Sequence, residues 1–104
     1  MEQLTAATFE DRVLKSDIPA LVEFRTPSCS TCEEIEPALE RLAGAFKGRI
    51  RIAQVDVEAE PALGLAFRIR YVPTLGLFQD GRLTGFQVGV PSTSALEAAL
   101  KRVA

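Results

Sequence analysis

At 104 residues, 47% hydrophobic and 25% charged, the chain has apolar content for one core and too much of it for a disordered tail. Its formal charge is −2 and its arginines are scattered, so no nucleic-acid surface is expected. No apolar run approaches the roughly 20 residues that span a bilayer, and Met1-Glu2-Gln3-Leu4-Thr5 lacks the basic start and apolar run of a secretory leader; one domain over 1–104, off the membrane and cytoplasmic, is expected.

In chain order, a short strand is expected near Gln3-Leu4. Thr8, with Asp11 three residues on, reads as an N-cap, and Phe9, Val13 and Leu14 give the first helix an apolar face. Asp17-Ile18-Pro19 breaks that helix. Ala20 to Phe24 is apolar except for Glu23, the pattern of a strand buried on both faces. Thr26-Pro27-Ser28 is a turn leading into Cys29. From Ser30 to Phe46, apolar residues recur at helical spacing around Ile35, Leu39, Leu42 and Ala43, with Pro37 expected to bend the axis and Gly48 to stop it.

Arg51 to Val57 is the next strand, and Glu60-Pro61 opens a short helix through Ala66. Leu75–Phe78 and Arg82–Val88 flank Asp80-Gly81, a hairpin signal. Ser94 with Glu97 reads as a capping box for a last helix whose Leu96, Leu100 and Val103 face inward. Strands joined through helices demand parallel pairing and the late hairpin adds antiparallel strands. The expected fold is α/β: a mixed sheet of four or five strands with helices on both faces.

Cys29 and Cys32 are the only cysteines, and they stand where the buried strand gives way to the long helix. A C-x-x-C there can close into a disulfide, and the free N–H groups of the helix start favour a thiolate at the first sulfur. Cys29 is therefore the candidate nucleophile and Cys32 the thiol that resolves the mixed disulfide. With no histidine and no further cysteine, neither a metal site nor a cofactor is expected. Glu23 is the third candidate. A carboxylate on an apolar strand has a raised pKa and can take the Cys32 proton near neutrality. Around Cys29, Arg25 favours negative charge on sulfur while Glu33, Glu34 and Glu36 oppose it.

Cys29-Ser30-Thr31-Cys32, Pro37 five residues beyond, Val72-Pro73-Thr74, Phe78-Gln79-Asp80-Gly81 and Gly89, in this order and spacing, resemble the thioredoxin family over nearly the whole chain. The resemblance implies a thioredoxin fold and a disulfide oxidoreductase. It further implies a cis Pro73 facing the cysteines, with Val72 pairing an incoming peptide strand and Gly89 bordering the groove. Glu23 stands where relatives carry a buried aspartate, and Gln54 replaces a lysine that often accompanies it. Arg25 and Ser28 replace two tryptophans of the recognition face, and Tyr71 replaces a glycine. A client set narrower than, or different from, that of a general thioredoxin is therefore expected. The partners implied are disulfide-containing client proteins and a reductase or dithiol protein as electron donor, acting on a monomer. Alternatives are a disulfide oxidase or isomerase, a peptide-binding module without turnover, or a metal-bridged dimer.

Overall fold

The computed structural model describes residues Met1–Ala104 and builds one sheet from β1 (Glu2–Gln3), β2 (Ala20–Arg25), β3 (Arg51–Asp56), β4 (Thr74–Gln79) and β5 (Arg82–Val88). The strands lie side by side as β1-β3-β2-β4-β5. β1 and β2 run parallel to β3, whereas β4 is antiparallel to both β2 and β5. The helices are α1 (Ala6–Phe9), which runs into a π-helical turn over Glu10–Leu14, then α2 (Ser30–Ala45), α3 (Pro61–Ala66) and α4 (Thr93–Val103). None is long and apolar enough to cross a membrane.

The pleat of β2 sorts its side chains between two cores. Ala20, Val22 and Phe24 join Phe9 and Val13 on one face, together with Leu63 of α3. Leu21 joins Ile35, Leu39 and Leu42 of α2, and Leu96 and Leu100 of α4, on the other. Successive strand residues point to opposite faces, so an apolar run reads as a strand covered twice. Phe9, Phe24, Phe67 and Phe78 interlock in the first core with ring centroids 5.2 to 5.8 Å apart. The alternation also puts Glu23 on the α2 face, directly opposite Gln54 of β3.

The turn between β4 and β5 follows its sequence. Asp80 and Gly81 both have positive φ, 53° and 77°, as a two-residue turn matched to the strand twist requires. A bulge follows, with Leu77 opposite Gly85 but Phe78 opposite Leu83. The extra residue, Thr84, donates its hydroxyl to the Leu77 carbonyl and accepts from the Gln79 amide.

Two helix starts differ from the expectation. The first helix begins beyond Thr5, not Thr8; the Thr5 N–H donates to Thr8 Oγ1 at 2.9 Å, so Thr8 lies inside the first turn. The last is capped by Ser92, not Ser94, and Ser92 Oγ accepts from the Ala95 N–H at 3.2 Å. In both cases two cap-forming residues lie within one turn, and the earlier one takes the role.

Candidate active site

The site is assembled at one end of the sheet. β2 delivers the chain there at Arg25, and the turn through Thr26, Pro27 and Ser28 leads to Cys29, the N-cap of α2. Because β4 runs antiparallel to β2, its first residue, Thr74, pairs with Phe24 at the same end. Pro73 and Tyr71 therefore approach from the neighbouring strand. Val88 pairs with Thr74 in turn, which brings in Gly89.

Cys29 and Cys32 are joined as a disulfide with their Cα atoms 5.2 Å apart. The two sulfurs differ in access and in bonding. Cys32 is fully buried under the first turn of α2, whereas Cys29 is partly exposed. Cys29 Sγ accepts the Cys32 N–H at 3.1 Å, and the Thr31 hydroxyl lies 3.4 Å from it. These donors come from the unpaired start of the helix and are aimed at the outer sulfur, where they stabilise negative charge when the bond opens. Ser28 and Thr31 are exposed beside it.

Glu23, on the face of β2 that α2 covers, is completely excluded from solvent. Gln54 Nε2 donates to its Oε1 at 2.8 Å, and Gln3 bonds the far side of the Gln54 amide. Its second oxygen, Oε2, has no hydrogen-bond partner. Burial pushes the Glu23 pKa up to about 7; the Gln54 hydrogen bond opposes this, the neighbouring Glu36 adds to it, and Arg25 again opposes it. Glutamine in place of a lysine thus leaves a neutral amide donor and no compensating charge.

Arg25 is engaged by a group not singled out for it from the sequence. Its Nε donates to Glu36 Oε2 at 2.7 Å, with both side chains about four-fifths buried. Its charge is matched by Glu36, so its pull on a Cys29 thiolate is reduced. Glu33 and Glu34, neighbours of Glu36 in sequence, are exposed. From the sequence alone, Glu36 counts only as a charge opposing a Cys29 thiolate, alongside Glu33 and Glu34, and is not paired with Arg25. Its signal was its position four residues after Cys32, which places both on one helix face.

On the other side, the Val72–Pro73 peptide bond is cis and Pro73 is fully buried. Thr74 Oγ1 donates to the Tyr71 carbonyl at 2.6 Å and fixes the loop, while Val72 forms no backbone hydrogen bond within the chain. Tyr71 is 69% exposed. The Gly89 N–H donates to the Pro73 carbonyl at 2.8 Å, and its φ is +86°. A Cβ at Gly89 would meet nothing within 4 Å, so what glycine supplies here is the backbone conformation.

The family model described as Thioredoxin matches residues 1–102. Among curated proteins, the chain is 32% identical to thioredoxin 1 of Nostoc sp., over 96% of this chain and 94% of that one. It is 35% identical to the thioredoxin of Rhodospirillum rubrum, over 93% and 94%. It is 40% identical to the thioredoxin of Haemophilus influenzae, over 84% and 82%.

Proposed function

This chain belongs to the thioredoxin family and is a thiol–disulfide oxidoreductase, and on that premise we propose that it reduces protein disulfides by cycling Cys29 and Cys32 between dithiol and disulfide. The observation that carries this is the inequality of the two sulfurs, one reachable and surrounded by donors, the other sealed from solvent. The Cys29 thiolate attacks a client disulfide, forming a mixed disulfide and expelling the first client thiolate. Cys32, giving its proton to Glu23, then attacks Cys29; the second client thiolate leaves and is protonated by water. The client gains two electrons and the Cys29–Cys32 pair loses them.

The free backbone of Val72 is suited to pair with an extended client segment across from Cys29, with Pro73 and Gly89 bordering it. Tyr71 offers an exposed ring, while Arg25 and Ser28 replace aromatic surface with charge and a hydroxyl. That chemistry favours a client set distinct from that of a general thioredoxin. The chain works as a single-domain cytoplasmic monomer without a bound cofactor, and a reductase or dithiol protein restores the dithiol.

Insulin reduction by the wild type, Cys29→Ser and Cys32→Ser tests the assignment. Turnover is lost in both variants, and only Cys32→Ser retains stable mixed disulfides with clients. Adducts held by Cys29→Ser instead would reverse the two roles.

A further inference from the structure

Building on Glu23 as the acceptor of the Cys32 proton, we propose that Glu36 is the positioning residue through which this buried carboxyl exchanges its proton with water, with Arg25 holding Glu36 in place. Glu23 is fully buried, so a proton that it accepts has no direct route to solvent. One of its oxygens is occupied by the Gln54 amide and the other has no partner. An amide N–H cannot accept a proton, so the Gln54 side leads nowhere. The groups that act on or pair with Glu23 are Arg25 from its own strand, Glu36 from α2, Gln54 from β3, and the apolar Leu75 from β4. Among them Glu36 alone is a base with a solvent-exposed edge, its side chain being 21% accessible.

Glu36 is close enough to Glu23 to raise its pKa, and Glu36 Oε2 is clamped by the Arg25 guanidinium. The clamp occupies one oxygen and leaves the other to receive the proton. Asp56 is the register partner of Arg25 across β2 and β3 and forms no ion pair with it. The sequence of transfers balances. As the Cys32–Cys29 bond forms and the Cys29–client bond breaks, the client sulfur leaves with the electron pair and the Cys32 proton moves to Glu23. It passes on to Glu36 and then to water before it can return to Cys32, so that loss of the relay slows resolution itself, and both carboxyls are again ionised.

The test is stopped-flow release of thiol from a self-quenched disulfide of a fluorophore-labelled peptide, mixed with reduced protein between pH 5 and 9. The unimolecular resolution phase is independent of peptide concentration, so altered docking at Arg25 does not enter it. Glu36→Gln, and Arg25→Gln/Glu36→Gln to keep the freed arginine from turning onto Glu23, are expected to lower its high-pH plateau by about tenfold, less than the roughly 10²–10⁴-fold of a direct general base because Glu36 acts through Glu23. Both are also expected to move its midpoint to lower pH, and Glu36→Asp restores most of the rate. A wild-type plateau in both glutamine variants overturns the proposal, even where the midpoint moves, because Glu36 would then act only as a local charge. Slow resolution in Glu23→Gln alongside that result leaves Glu23 as the base. An unchanged rate in Glu23→Gln removes the base itself, and the proposal with it.

Discussion

A carboxyl without surrounding water is more stable neutral, and Glu23 carries that preference into the stability of the whole chain. Its pKa is raised from 4.5 to about 7 on folding, so between those values the folded protein holds a proton that the unfolded chain has lost. Stability therefore falls as pH rises through this window, the reverse of an ion-paired carboxylate. Glutamine in its place keeps a carbonyl to accept from Gln54 and offers an N–H₂ toward Glu36, with no charge to bury. Glu23→Gln is accordingly expected to stabilise the protein by roughly 2 to 3 kcal/mol at pH 8 and by almost nothing at pH 4. Urea denaturation at the two pH values measures this, and an equal gain at both would show that packing, not ionisation, sets the difference. The same residue shows what the sequence could and could not yield. Its burial follows from the apolar run around it, but its partners do not. Gln54 is 31 residues away, and Glu36 is indistinguishable in sequence from Glu33 and Glu34 until α2 is laid on β2.

Among the elements, the most local signals carried furthest. Asp80-Gly81 specifies its own turn, because a two-residue connection of this type needs positive φ at both positions. The turn also touches α1's extension: a Cβ on Gly81 would lie 3.0 Å from the Leu14 carbonyl oxygen. Gly81→Ala thus combines an unfavourable backbone conformation with crowding against backbone, and about 1 to 3 kcal/mol of stability is expected to be lost. Gly44→Ala is the control. Gly44 lies within α2 with nothing near its missing Cβ, so helix propensity alone predicts a gain of about 0.5 to 1 kcal/mol. Opposite signs in urea midpoints bear out the distinction; a loss at both positions refutes it. Helix starts were less legible for a related reason. Thr5 and Thr8, like Ser92 and Ser94, are locally equivalent caps, and the choice between them is made where Phe9 and Leu96 reach the two cores.

For the molecule as a whole, an electron carrier of this kind requires a fold that persists in both oxidation states. Two layers of packing on opposite faces of the sheet meet that requirement, because neither contains Cys29 or Cys32. The bridge also spans only three positions in sequence. Closing so small a loop removes little freedom from the unfolded chain, about 2 kcal/mol in the chain-entropy account, against roughly 5 to 15 kcal/mol for a domain of this size. The reduced protein is therefore expected to remain folded at neutral pH, with a urea midpoint only modestly below that of the oxidised form. Thermodynamic linkage makes the same difference the extent to which folding biases the pair toward the disulfide, so a small gap leaves both directions of exchange accessible to partners. Parallel urea titrations of the two forms decide the matter. Loss of cooperative unfolding on reduction would mean that the bridge holds the structure together, and a structural staple cannot serve as a reversible store of two electrons.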